Sequence, residues 1–204
     1  MTIHYIPLTP AHFSAVIALG NEVQGDNYLD PVSLRAIYDK SWHNDINASL
    51  VAVASRDQIT NNEYDPECMV EEGLLVGFRL TFAADQWVPD EWCSPALWPL
   101  PTEKVCYFKC NTVDSHYRGL GIGATLLKKS IEKAQEQGAE AGIAHIWLAS
   151  PNNSAFGYFS ACGGKLVKEH PNRWQRLALE DGYVCPVCTE LCTCTAAEMI
   201  LPFS

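Results

Sequence analysis

The sequence predicts an α/β domain with helices and strands alternating along most of the chain. Two observations carry this. Short runs rich in β-branched and aromatic residues alternate with segments whose apolar residues recur at helical spacing. One such run, Val105–Val113, also leads through the glycine-rich loop Arg118-Gly119-Leu120-Gly121-Ile122-Gly123-Ala124 straight into a helix. At 204 residues the chain is naturally read as one domain spanning 1–204, large enough for a substantial core.

Taken in order, residues 3–8 read as a strand, and Thr9-Pro10 supplies a cap and a first-turn proline for a helix to about Val23. A loop at Gly25-Asp26-Asn27 leads to a second helix over 31–42, capped by Asp30. Residues 50–54 and 74–83 read as strands joined by a polar loop through Asn61-Asn62-Glu63. Residues 87–101 hold Trp87, Trp92 and Trp98 among prolines and read as an insertion. After the central strand and glycine loop, Leu127, Ile131 and Ala134 mark a helix that Gly138 stops. A strand at 144–149, a short helix near 155–162, a strand at 165–167 and a last strand at 198–203 complete the order β-α-α-β-β-β-α-β-α-β-β.

Closely spaced glycines at a helix start let backbone N–H groups converge on one anion, which the helix dipole also favours, so the loop reads as a phosphate cradle. A nucleoside-triphosphate loop needs Gly-Lys-Ser/Thr at its end, and here the end is Gly123-Ala124-Thr125. Gly119, Gly121 and Ala124 satisfy the dinucleotide pattern, but no carboxylate follows the next strand to hold a ribose, and too few strands remain for that fold.

A longer pattern takes in more residues. Residues 113–127, with Val113, Tyr117, Arg118, Gly119, Gly121, Ile122, Gly123, Leu126 and Leu127 in register, resemble the pyrophosphate motif of the GNAT superfamily of N-acetyltransferases. Residues 152–164, with Asn152, Ala155, Phe159 and Gly163, resemble its next motif. The resemblance implies a mixed, twisted sheet with two splayed central strands and acetyl-CoA as co-substrate. It implies that the backbone from Arg118 through Gly119, Gly121, Ile122, Gly123 and Ala124 holds the pyrophosphate. Thr112 and Val113 then meet the pantetheine arm, as does Asn152, or Asn153 if the register slips by one. The expected activity is acetyl transfer to a primary amine by direct attack, on a small molecule or a protein; the alternative is a non-catalytic acyl-CoA-binding or metal-binding protein on the same fold.

The family's proton-donating tyrosine position falls on Phe159, with Tyr158 its neighbour. Either Tyr158 is the general acid or water serves, and Phe159 lines the cofactor slot. Candidate bases are Glu103, Asp114 and Asp85, each also readable as a solvated surface charge. The tryptophan segment either sets acceptor specificity or buries its loop against the sheet.

A net charge of −10 argues against nucleic-acid binding, and no apolar run reaches membrane-spanning length. Nine cysteines without an export signal point to a cytoplasmic chain with reduced thiols. A homodimer is left open. Cys185, Cys188, Cys192 and Cys194 fall in a second insertion, 184–195. Four soft ligands in ten residues suit a structural zinc, with free, disulfide-forming or redox-sensing thiols as the alternatives.

Overall fold

The computed structural model describes residues 2–59, 64–150 and 153–203. β1 (Ile3–Pro7) leads through a Thr9-capped turn into α1 (Phe13–Gln24), and Asp30 caps α2 (Pro31–Lys40) by accepting from the amides of Val32 and Ser33. The expected second helix stops two residues early. Asn44 and Asp45 both take positive φ and fold 42–47 into a hairpin of β2 (Trp42–His43) and β3 (Ile46–Asn47). Then follow β4 (Leu50–Ser55), β5 (Met69–Val70), β6 (Gly73–Phe82) and β7 (Val105–Val113). The remainder is α3 (Ile122–Glu136), β8 (Ala141–Trp147), α4 (Ser154–Ala161), β9 (Lys165–His170), α5 (Gln175–Glu180) and β10 (Ala196–Pro202). No helix among the described residues is long and apolar enough to cross a membrane.

The predicted mixed sheet is present, in the order β1-β4-β6-β7-β8-β10-β9 with β5 on β6. All neighbours are antiparallel except β7 and β8, which run parallel. That parallel ladder covers only three pairs, Val105–Ala141, Cys106–Gly142 and Tyr107–Ile143, and then opens. At the opening, β7 carries a bulge: Leu80 pairs with Cys110 but Thr81 with Phe108, leaving Lys109 as the extra residue. A bulge bends its strand and increases the local twist, which turns β7 away from β8.

The two faces of the sheet are covered differently. A Cβ on Gly20 of α1 would press on Leu29 and Phe78, so even positions of β6 face α1. Odd positions face α3, where Thr81 Oγ1 meets Ser130 Oγ at 2.8 Å and Ser130 also donates to Ala48 O at 2.7 Å. The bulge switches this parity along β7. Phe108 lies on the side of α4, against Phe159 at 6.1 Å, and beyond the bulge it is Asn111 and Val113 that face α3.

Phe108 is the wedge at the fork. Its ring lies over Gly142, between Phe203 at 6.2 Å and the Arg79 guanidinium at 4.6 Å, so it has no room to retreat. A Cβ on Gly142 would sit 2.2 Å from that ring. Gly142→Ala is therefore expected to cost about 1–3 kcal/mol by overpacking, measured as a lower urea midpoint with unchanged slope. Pairing it with Phe108→Leu should restore part of the loss.

Candidate functional site

Below the fork lies a cleft of about 790 Å³ between the diverging halves of β7 and β8. The glycine loop forms one end. Gly119 and Gly121 have φ of +78° and +76°, a region that costs other residues about 1–2 kcal/mol. Gly121 caps α3 without a side chain, leaving the first-turn amides of Ile122, Gly123 and Ala124 without intrahelical partners. A Cβ on Gly123 would crowd Asn111 Nδ2 at 3.3 Å, so hydrogen is the side chain that leaves the cradle open. Arg118 Nε donates to Val113 O at 3.1 Å, tying the loop back to the strand it leaves.

Asp114 N donates to Val76 O at 3.0 Å. By the alternation of an antiparallel ladder, the backbone of Thr112 then faces β6, while that of Asn111 and Val113 faces the opened edge. Thr112 contributes its side chain instead, which accepts from Gln24 Nε2 at 3.2 Å.

Thr112, Val113, Arg118, Gly119, Gly121, Ile122, Gly123, Ala124, Tyr158 and Phe159 all line this one cleft. Asn152 lies outside the described residues. Asn153 starts α4 in a left-handed conformation, and the serines on either side of it, Ser150 and Ser154, line the cleft. Phe159 is fully buried, and its ring fills the space that a Cβ on Gly164 would need.

Tyr158 O–H donates to Gly123 O at 3.0 Å, and Arg79 Nη1 donates to the Tyr158 hydroxyl oxygen at 3.4 Å. Burial raises the Tyr158 pKa, while the Arg79 charge pulls it back. Arg79 is buried and its Nε has no partner, as is also true of Asn111 Oδ1 and Arg173 Nε. All three residues line the cleft, which is therefore furnished with unsatisfied polar atoms for a polar ligand.

Across the fork, on the α1 side, stands a pair that the sequence reading did not single out. Tyr107 OH lies 3.0 Å from His145 Nδ1, and His145 Nε2 lies 2.6 Å from Trp92 O. A carbonyl only accepts, so Nε2 carries the proton, Nδ1 accepts and Tyr107 donates. Burial pushes the His145 pKa down to about 4, with Arg173 assisting, so the imidazole is neutral at pH 7. Lys109, over the Tyr28 ring at 5.6 Å, also has its pKa lowered by burial. A histidine inside the apolar run 144–149 was the available signal, but its partner is 38 residues away.

The candidate bases Glu103, Asp114 and Asp85 do not line the cleft. Asp114 caps the turn at His116, and Asp85 faces His43 at 3.4 Å. The three tryptophans of the insertion bury their loop against the sheet. Trp87 stacks on Tyr107 and donates to Val105 O, and Trp98 donates to Glu198 Oε1. Trp147 and Trp174 line the cleft instead.

The acetyltransferase (GNAT) family profile matches residues 33–163. Among curated proteins none matches the sequence. The NatC complex bound to Gag peptide and CoA is similar in structure at TM-score 0.66 and 15% identity, with both chains covered in full. yncA, a putative acetyltransferase from Salmonella typhimurium with acetyl-CoA, gives 0.63 and 15%, covering 100% of this chain and 95% of that one. Arabidopsis thaliana Naa50 with a bisubstrate analogue gives 0.60 and 13%, with full coverage of both.

His145 gives the fold a pH signature. Its pKa falls from the usual 6.5 to about 4 in the folded chain, so between those values the unfolded chain binds a proton that the native one refuses. This contribution is complete above pH 6.5 and is lost as pH falls toward 4. Replacing His145 with Gln should flatten the decline in melting temperature across that window relative to wild type, followed by scanning calorimetry; parallel curves would refute the assignment.

Proposed function

The chain belongs to the GNAT family of acetyltransferases, and on that basis we propose that it moves an acetyl group from acetyl-CoA to a primary amine by direct attack. One observation carries the reading. The glycine cradle and Tyr158 occupy one side of a fork whose other side presents the Tyr107–His145 pair, with the open edge of β7 between them. The ligand that fits is long, is anionic at one end and reacts at the other.

The amides of the loop from Gly119 to Ala124 would hold the pyrophosphate, where the dipole of α3 favours negative charge. The backbone edge at Asn111 and Val113, which no strand covers, would hydrogen-bond the pantetheine amides in the manner of a neighbouring strand. Acetyl-CoA supplies an activated thioester carbonyl. The protein's own work is to position that group and the amine, and to return a proton to the thiolate.

An attacking amine must shed a proton. Tyr107, its own hydrogen held on the neutral His145 Nδ1, can accept a hydrogen bond from the amine N–H on its phenol oxygen and so aim the lone pair at the thioester, the proton then leaving to solvent through the cleft. The departing thiolate needs a proton, and Tyr158 would give it; the Arg79 guanidinium beside its oxygen, which would stabilise the phenolate left behind, supports this reading. With Phe159 buried at the family's tyrosine position, Tyr158 takes that role from the adjacent position. Arg79 meets its hydroxyl, and Phe159 packs edge-on against its ring.

Calorimetric titration should show saturable acetyl-CoA binding that Gly121→Leu abolishes while circular dichroism stays native. Unchanged affinity in that variant would remove the phosphate-cradle assignment. In a coenzyme A release assay across a panel of amines, Tyr107→Phe should lower turnover by about 10²-fold with acetyl-CoA affinity retained. Tyr158→Phe should likewise act on turnover rather than affinity. Loss of affinity with turnover preserved at saturation would make Tyr158 a latch on the loop and not the acid.

A further inference from the structure

Outside the cleft chemistry, the densest set of ligating groups is the cysteine insertion. The Sγ atoms of Cys185, Cys188, Cys192 and Cys194 all lie within 4.8 Å of one another, with Cys185–Cys194 at 3.8 Å and Cys188–Cys194 at 3.5 Å. All four are free thiols. Four zinc–sulfur bonds of about 2.3 Å in a tetrahedron put neighbouring sulfurs about 3.8 Å apart. Disulfides would join sulfurs in pairs; here each sulfur has the other three as neighbours, the arrangement that a single central ion satisfies.

The chain builds this arrangement in two halves. In the first, Thr189 N donates to Cys185 O at 2.9 Å and Glu190 N to Cys188 O at 2.7 Å, with Thr189 at φ +62°. That tight turn brings Cys185 and Cys188 to one side. In the second, Cys192 and Cys194 alternate along an extended segment that runs into β10, so both point the same way. Tyr28, Trp147 and Trp174 pack around the cluster, and Cys188 is the partly exposed member through which an ion can enter.

We propose that these four cysteines bind one zinc ion, and that the metal clamps the acceptor-side wall of the cleft. Binding exchanges four thiol protons for Zn²⁺; no oxidant or reductant is involved. Four thiolates complete the coordination, leaving no open position, so the ion is structural. The clamp follows from what the knuckle holds. Val184 N donates to Asp26 O at 3.1 Å, Asn27 Nδ2 to Gly182 O at 3.0 Å, and Tyr183 OH to Gln24 O at 2.8 Å. Gly25, at φ +114°, runs so close that a Cβ would meet Val184 O at 2.2 Å. Gln24 continues the chain of contacts to Thr112 on β7, while Tyr183, Pro186 and Val187 line the cleft itself. The α1–α2 loop is thus stitched to the knuckle, and the knuckle is held by its sulfurs.

The test uses the full chain as purified. Elemental analysis should give one zinc per chain, and refolding with Co²⁺ should give the thiolate charge-transfer and tetrahedral d–d bands of an S₄ site. Cys192→Ser should lose the stoichiometric metal. Because that variant can also misfold, the wild-type protein is treated with a chelator. Four thiols should then become reactive toward a disulfide reagent, and one equivalent of added zinc should protect them again. Amide exchange should quicken on chelation both in 182–194 and in the loop 24–28, and zinc should reverse it. Absence of metal with no cobalt spectrum, full metal retained in Cys192→Ser, or disulfides in the purified chain would each overturn the site. Exchange that quickens in 182–194 alone would overturn the clamp.

Discussion

Everything at the cleft depends on the loss of pairing between β7 and β8 after Tyr107 and Ile143. A parallel pair held together along its length would satisfy its own backbone groups and leave nothing for a ligand. Here the Lys109 bulge turns β7 aside and the Phe108 ring fills the angle of the fork, so the edge below is not covered by β8. The parity switch at the bulge has a second effect. Tyr107 and Phe108 fall on opposite faces, which places the Tyr107–His145 pair on one side of the sheet and the packing around Arg79 and Tyr158 on the other.

The electrostatics of the cleft run against those of the chain. The protein carries a net charge of −10, yet Arg79, Lys109, Arg118 and Arg173 all line this cavity beside the positive end of α3. A global charge says little about a local field, because the low-dielectric walls of a cleft concentrate the field of the charges lining it. Burying Arg79 with an unpartnered Nε costs stability unless a ligand supplies the missing acceptor.

What could be read from the sequence was what depends on local conformation. Gly119 and Gly121 announce positive φ because few other residues adopt it at low cost, and the strand and helix on either side then locate the cradle. Asp30 likewise announced a helix start that its two hydrogen bonds bear out. Contacts across the fold left no such mark. Nothing local says that His145 receives a bond from Tyr107, and a bulge at Lys109 interrupts the alternation by which strand faces are read. The short strand β5 and the one-turn-and-a-half helix α5 arise from packing and lack the length that makes periodicity visible. The tryptophan segment could be read either way, and it is Glu198, about a hundred residues on, that decides its packing through Trp98.

The tryptophan and cysteine segments both end on the same strand. Ser94 N and Trp98 Nε1 converge on Glu198 Oε1, whose other oxygen meets His170 Nε2 at 2.9 Å, so the tryptophan segment is anchored to the middle of β10. The cysteine knuckle runs into the start of β10, where Thr195 O accepts from Leu148 N at 3.2 Å and joins it to the end of β8. β10 pairs β8 along its whole length, and β8 carries His145. The two segments therefore position His145 from two directions: the tryptophan loop through the Trp92 carbonyl that fixes its tautomer, and the knuckle through the strand behind it. The cofactor side of the cleft is built from the glycine loop and α4, segments that match the family's motifs. The opposite wall is built from β8, the tryptophan segment and the cysteine knuckle, so the position of His145 depends on contacts from far along the chain.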